Sequence, residues 1–541
     1  MKKKLFVISL LLLLTSGYSY VSKFLELPTN SIEYRLILNP ESLSLKEGAL
    51  IAAGVKEEFL TNYLNSISEF ENEINQNLSS TNDKIEISKM LFNGMHKKFL
   101  KKYKESDTTL DELLKTGGFN CLSSTLLYSS LLEDYKIEYK AIIVPTHVFT
   151  MLTFPEMEID VENTSPYGYD IGNNKEAQEN FKKLTGFTYP TNKSLSEIVD
   201  KRGLLGYTYA NIAYFALQSG QVFSAFQNAL KSLAIYPQGK YIYTNVVASY
   251  NQYILYLTDT KKDYVQALSI LEEAFKVLPP KNLFFSNYFY VLDKYLNSLI
   301  ESSQYEKAIE EYDKSKGFSG ENKDIENNLY TRILYRLIEK EQNFPKAFEI
   351  GKKILSENKN CENIKSLLIN GLNILTKKYI NTWKTFPEGE GLVIKWYGLM
   401  KSKDFDEILE DYYNQIALKY YGYGNPDKGI EIIKRGLSYF PNSGLLKNNA
   451  VYICANTANT QFKKENYPEG IKYTKIGLSF DPKNEALRSN LLTAYKIMVN
   501  KEIEKQNYSV ALNLTEEALK TFPGDSKLLY YKDYIKRKLK K

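Results

Sequence analysis

The chain has 541 residues, 25% of them charged and 43% hydrophobic, with a formal net charge of +6. That length exceeds what one hydrophobic core organises and predicts several domains or a repeat array; so slight a charge does not mark a nucleic-acid binder, and no nucleic-acid partner is expected. Its three cysteines, Cys121, Cys361 and Cys454, are odd in number and far apart, which excludes a disulfide framework and a paired-cysteine metal site, so no metal or other cofactor is expected.

The N-terminus, Met1-Lys-Lys-Lys, precedes an apolar run from Leu5 to Leu14 and then Thr15-Ser-Gly-Tyr-Ser. This order predicts a secretory signal over residues 1–19. The apolar run is about half of what a membrane-spanning helix needs. The expected location is therefore exported, periplasmic or extracellular, with tethering only through an uncleaved signal.

From residue 31 the pattern is helical. Leu45–Gly54 is one apolar segment, and Ile85–Tyr103 carries apolar residues at 87, 91, 92, 95 and 99. His96, followed by two lysines, reads as a surface residue of that helix. Thr109-Leu-Asp-Glu112 has the spacing of a capping box opening a short helix. A glycine turn, Gly117-Gly118-Phe119-Asn120, then gives way to an apolar, helix-like run beginning at Cys121. The positive end of a helix dipole favours a thiolate, the form that attacks carbonyls.

His147, one of two histidines, follows 26 residues later in a strand-like run. Strands are predicted near 138–145, 147–153 and 158–164, and helices packed on such a sheet make an α+β domain over residues 31–190. The third strand carries Asp160 and Glu162, which two-residue alternation places on one face. Thiol, imidazole and carboxylate supply a nucleophile, a base and an acid to orient the base. The backbone N–H of Cys121 and the side chain of Asn120 are candidate oxyanion donors.

Gly118-Phe-Asn-Cys-Leu-Ser-Ser-Thr-Leu-Leu-Tyr, His147-Val-Phe and Val161-Glu-Asn-Thr-Ser-Pro together resemble the transglutaminase-like branch of the papain-type fold, over roughly residues 85–175. The resemblance implies that Cys121 attacks an amide or ester carbonyl, that His147 is the base, and that Glu162 stands where the family carries the aspartate of an Asp-Pro-Thr-like strand. Thr164 keeps that motif's spacing, and Asp160 is the competitor for the third role. Lys115 occupies the position where papain-type proteases carry glutamine. The implied thioester is resolved by water, giving proteolysis or deamidation, or by an amine, giving cross-linking.

Past the polar stretch Thr191–Ser196, read as a boundary, residues 204–525 repeat. A small residue, a second one seven positions on and a proline five beyond recur as Ala225, Ser232, Pro237; Ala267, Ala274, Pro279; Gly429, Gly436, Pro441; Gly470, Gly477, Pro482; and Ala511, Ala518, Pro523. Ala308, Ala347 with Ile354, and Gly391 with Gly398 are weaker copies, so about eight units recur with a period near 40. Small residues seven apart share a helical face and let helices approach, and the proline ends the unit. An aromatic three residues before the first small residue (Tyr264, Tyr305, Phe344, Tyr467, Tyr508) completes a pattern that resembles the tetratricopeptide repeat. The longer period predicts lengthened first helices. The resemblance implies an all-α helical solenoid with a protein or peptide ligand, and residues 526–541 read as a basic C-terminal capping helix. Cys361 and Cys454 read as buried helix residues. The alternative to an enzyme carried by this array is a non-catalytic scaffold whose N-terminal domain has lost its chemistry.

Overall fold

The computed structural model describes residues 20–78, 82–186, 188–189, 193–278, 281–357 and 362–540. The expected signal over 1–19, Cys361 and Pro279 lie outside the described residues. The chain forms two compact units, one up to Tyr295 and one from Leu296 onward.

The first unit opens with α1 (Ile32–Leu38), α2 (Leu45–Ala52), α3 (Glu57–Asn77) and α4 (Lys84–Lys98). Ser44 and Glu47 form a reciprocal capping box at α2. A two-residue strand, β1 (Lys102–Tyr103), pairs in parallel with β2 (Gly118–Phe119), and α5 (Leu110–Thr116) lies between them. Thr109 holds the N-cap position of α5 but makes no side-chain cap bond, so the box expected at Thr109–Glu112 does not form. The box forms one element later, at Asn120 and Ser123, where it starts α6 (Cys121–Asp134). Gly117 ends α5 with a φ of 76°, the left-handed conformation that favours glycine.

Every residue of α6 from Leu122 to Leu132 is buried, which makes it the central core helix and explains its lack of a polar face. Several of its hydroxyls bond to the helix's own backbone: Ser124 Oγ donates to the Asn120 carbonyl at 2.7 Å and Ser130 Oγ to that of Leu126 at 2.7 Å.

Against α6 packs an antiparallel sheet of β3 (Tyr139–Val144), β4 (His147–Thr153) and β5 (Glu158–Val161). β3 and β4 form a hairpin around Pro145-Thr146, with Val144 paired to His147. The third strand stops at Val161, three residues short of expectation, because the backbone N–H of Glu162 turns to the carbonyl of Gly168 at 2.9 Å. After α7 (Lys175–Thr185) an unforeseen strand, β6 (Glu197–Val199), pairs with β3 and gives the order β5-β4-β3-β6. The sheet thus extends past residue 190.

Asp200 caps α8 (Lys201–Gln218) directly after that strand. Leu204, Leu205 and Tyr209 of α8 are fully buried, Tyr209 donates to Glu33 at 2.9 Å, and Asn211 donates to Thr108 at 2.8 Å. The first array helix is therefore part of the core of the α/β region, and the division of the chain falls at Tyr295 rather than in the polar stretch before residue 197.

The array continues as helical hairpins, α8 with α9 (Val222–Ile235), then α10 (Ile242–Leu255) with α11 (Tyr264–Val277). The second unit repeats the plan, as in 403–422 with 426–439, 444–463 with 467–480, and 485–504 with 508–521. Second helices have 12 to 15 residues while first helices reach 20, and α10 gains a further π-helical turn over Tyr256–Lys261. These lengthened first helices account for the long period. The pattern aromatics Tyr264, Tyr305, Phe344, Tyr467 and Tyr508 are each the first residue of a second helix. The anchors are places of close approach: a Cβ on Gly470 would stand 2.3 Å from Phe462, and Ala225, Ala267, Ala308, Ala347 and Ala511 are fully buried. Gly391 is an exception. It is exposed with open space around its Cα, and the close contact belongs to Gly389, whose Cβ would meet the Tyr379 ring at 2.4 Å. The helix 526–539 closes the chain with Leu528, Tyr531 and Ile535 buried.

Candidate active site

Three elements of the first unit meet at Cys121. The thiol is partly exposed at the first position of α6. Its backbone N–H is one of the donors that a helix start leaves without an intrahelical partner. Asn120 is committed to the cap: Oδ1 accepts from the N–H groups of Leu122 at 2.9 Å and Ser123 at 3.0 Å, and Nδ2 donates to the Glu105 carbonyl at 2.8 Å. These bonds fix the helix start and commit the Asn120 Oδ1 and one of its two Nδ2 hydrogens.

His147 enters from the start of β4. Its Nε2 lies 2.6 Å from Glu162 Oε2, with the imidazole 8% exposed and the carboxylate fully buried. Nε2 is thereby occupied by the acid, and the Cys121 side chain lies close enough to the imidazole to favour its charged form. Burial opposes the charged imidazole, but the Glu162 carboxylate and the hydrogen bonds to Cys121 and Glu162 outweigh it, and the His147 pKa rises well above its ordinary value. Phe181 of α7 packs beside the imidazole, ring centroids 5.5 Å apart.

Glu162 is held as firmly as it holds. Its Oε1 accepts from the Thr164 N–H at 3.0 Å and from the Thr164 hydroxyl at 2.6 Å. A Cβ on Gly168 would stand 2.0 Å from the Glu162 carbonyl oxygen, so only glycine closes this turn. The neighbouring Asn163, fully buried, donates to Thr125 on α6 at 2.9 Å and to Thr150 on β4 at 2.8 Å. That amide ties helix, strand and turn into one block. Asp160 faces a different partner: its Oδ2 accepts from the Tyr189 hydroxyl at 2.5 Å, while the His147 ring nitrogen meets Glu162. The two carboxylates do not share a face, because the strand ends between them.

Two residues escaped the sequence reading. His96 is not a surface residue; it packs edge-on to Phe92 at 4.6 Å, and its Nε2 is buried without a partner among the described residues. Burial lowers its pKa to about 4, against the smaller opposing effects of Glu162 and a hydrogen bond with the Asn163 backbone. It thus stands neutral behind the acid that orients His147. Tyr103 of β1, placed by the β1–β2 pairing beside Phe119 at 5.8 Å, also faces the site. Burial and then the nearby Cys121, Glu105 and Glu162 charges raise its phenol pKa. Lys115 pairs with Asp111 at 2.8 Å on the surface of α5. Far from the site, Cys454 is fully buried in helix 444–463, and burial pushes its thiol up to about 12. Among the described residues no group of three His, Cys, Asp or Glu side chains could hold a metal ion, and no helix is long and apolar enough to cross a membrane.

Fold and site together describe an α/β unit in which a buried His147–Glu162 pair stands beside a partly exposed Cys121, followed in the chain by a helical-repeat array. No protein-family model matches the chain, and no curated protein matches it. Solved structures similar to it include TPR domains. Among the similar structures are the P58(IPK) TPR domain (11% identity, 62% of this chain and 98% of that one, TM-score 0.17), the TPR2AB-domain:pHSP90 complex of yeast Sti1 (13%, 63% and 100%, TM-score 0.16) and menin (11%, 75% and 94%, TM-score 0.23). At these TM-scores the assignment of a tetratricopeptide-type solenoid rests on the chain's own hairpins and their small-residue contacts.

Proposed function

We propose that the α/β unit is an exported, cysteine-dependent acyl-transfer domain and that the array presents a protein or peptide to it. The observation that carries this reading is the solvent-sealed His147–Glu162 pair, 2.6 Å apart, meeting Cys121 at a helix start. The resemblance of the same residues to the transglutaminase-like pattern supports it. In this reading the Cys121 sulfur, its proton held on His147, bonds to an amide carbonyl carbon. The carbonyl oxygen takes the negative charge, facing the Cys121 N–H and the Tyr103 hydroxyl. As the tetrahedral species collapses, the C–N bond breaks and His147 returns its proton to the leaving amine, giving a thioester. Water attack then yields a carboxylate, or a lysine amine yields a new amide, and Cys121 is regenerated. Glu162 stabilises the imidazolium and selects the ring nitrogen that faces sulfur.

The test is peptide-substrate profiling of wild type against Cys121→Ala, with and without an added primary amine, read by mass spectrometry. Turnover or a trapped thioester in wild type alone is expected. The second reading, a scaffold without catalysis, is favoured by the commitment of Asn120 to its cap and by the extent of the array. Absence of any acyl-enzyme across the peptide panel, with unaltered partner capture by Cys121→Ala, selects it.

A further inference from the structure

Residues 20–27, ahead of α1, lie along the first repeats and are bound there by side chains rather than by strand pairing. The Gln227 amide of α9 reads the main chain in both directions: Nε2 donates to the Phe24 carbonyl at 3.0 Å and Oε1 accepts from the Glu26 N–H at 2.8 Å. From α11, Ser269 accepts from the Lys23 ammonium at 2.9 Å, and Glu273 accepts from the Ser22 hydroxyl. Burial and then the nearby Glu273 carboxylate raise the Tyr20 phenol pKa. Gln227 and Glu273 are themselves buried, 8% and 5% exposed. Glu273 makes no ion pair among the described residues, so this buried carboxylate is satisfied by the Ser22 hydroxyl of the segment. Beside it Tyr250 is buried with a hydroxyl that has no partner among the described residues.

A buried amide and a buried carboxylate without partners are unfavourable, and among the described residues the segment supplies those partners. The pattern is that of a peptide site: one amide clamps a main chain regardless of sequence, and one carboxylate selects hydroxyl or amine groups beside it. Nothing about the α1–α7 core requires this polar seat. The segment is also anchored locally by a turn, with the Phe24 N–H bonded to Ser22 Oγ and the Leu25 N–H to the Ser22 carbonyl. The turn presents Ser22 and Lys23 together toward α11.

We propose that the face of α9 and α11 bearing Gln227, Ser269 and Glu273 is a peptide-binding site that residues 20–27 of this chain occupy in cis as a displaceable latch. The inference rests on the reading that the array takes a peptide, and it names the seat and its resident occupant. An incoming ligand with an exposed main chain and a Ser-Lys-like pair competes with the latch. Binding in trans is therefore weakened by the fraction of time the latch is seated.

Hydrogen–deuterium exchange on the full chain tests this. In wild type, amides of residues 20–27 should be protected. Gln227→Ala should speed their exchange at least tenfold with α8 and α10 unchanged. Gln227→Glu, which keeps the acceptor for Glu26 and loses the donor to Phe24, should fall between. A free peptide of residues 20–27, Tyr-Val-Ser-Lys-Phe-Leu-Glu-Leu, added in excess to wild type should accelerate exchange of the chain's own segment. Unprotected amides in wild type would overturn the latch. Protection that the excess peptide leaves unchanged would overturn displaceability and make the segment a fixed strut. Titration of the same peptide into Gln227→Ala and Glu273→Gln separates the two levels: binding elsewhere on the array would sink this seat while leaving the peptide-binding reading intact.

Discussion

Cys121 and Cys454 are the same residue in two helices, and their surroundings differ in every term that governs a thiol. Cys454 sits mid-helix among apolar neighbours of the array, where burial alone acts and drives its pKa up to about 12. Cys121 sits at a helix start, partly exposed, against a histidine whose own proton is held by a buried glutamate. The contrast extends to the regions around them. In the array, buried polar groups are chiefly hydroxyls bonded back to their own helix, such as Thr457, Thr474 and Thr515. In the α/β region, Asn163, Glu162 and Ser123 bond between elements. Self-satisfied groups make a repeat that can be copied, whereas groups bonded across elements fix one unique geometry.

The largest test of this difference is alkylation. At pH 7.5 a thiol with a pKa near 12 is ionised to about one part in ten thousand or less, before burial limits access. Iodoacetamide should modify Cys121 at least about 1,000-fold faster than Cys454, as read by peptide mass spectrometry. Equal rates would erase the distinction between the two regions.

Next in size is the third site residue. Glu162→Gln removes the charge that stabilises the imidazolium, and turnover or Cys121 alkylation near neutral pH should fall by about 10²- to 10⁴-fold. Asp160→Asn, which alters the bond from Tyr189, should change either rate by less than about threefold. The opposite ranking would return the role to Asp160.

The two histidines should bend the pH–stability curve in opposite ways. His96 is held neutral, with a pKa lowered to about 4. Unfolded chains bind its proton first, so the stability tied to neutral His96 is present above about pH 6.5 and is lost as pH falls toward 4, by about 3 kcal/mol. His147 is raised, so its contribution is full below about pH 6.5 and is lost as pH climbs through its folded-state value. Urea midpoints from pH 4 to 9 should show a shallower acid limb in His96→Phe, and in His147→Gln an unchanged acid limb with a weaker fall on the alkaline side.

The smallest effects concern the array. Gly389→Ala should destabilise by about 1–3 kcal/mol because its methyl meets the Tyr379 ring. Gly391→Ala, two residues on in open space, should be neutral or stabilising by up to about 1 kcal/mol. Thermal melts of the two variants compare a packed anchor with a solvent-facing neighbour, and reversed signs would restore the anchor to Gly391.

Local chemistry made much of this legible. The glycine turn before Cys121, the two-residue hairpin turn before His147 and the recurring aromatic–small–small–proline pattern each set local structure through neighbours a few residues away. The failures share one cause, which is that the deciding contact was distant in sequence. His96 looked solvated because of Lys97 and Lys98, yet adjacent helix residues point to different faces, and Phe92 and Tyr128 form the wall it joins. Tyr103 reached the site through a two-residue parallel pairing too short to leave a periodic signal. Gly389 and Gly391 differ only in which one Tyr379 approaches.

By itself the sequence determined the elements: a thiol at a helix start, an imidazole at a strand start, an acid nearby, and an array of helical hairpins with long first helices. Those follow from turn residues, caps and periodicity, which act within a few residues along the chain. Only the tertiary structure decided which acid meets the imidazole, because the strand ends at Val161 and Gly168 turns Glu162 away from the face of Asp160. It alone joined the first repeat helix to the α/β core and seated residues 20–27 on Gln227 and Glu273, since burying a polar group is settled by whichever partner the folded chain brings within hydrogen-bonding distance.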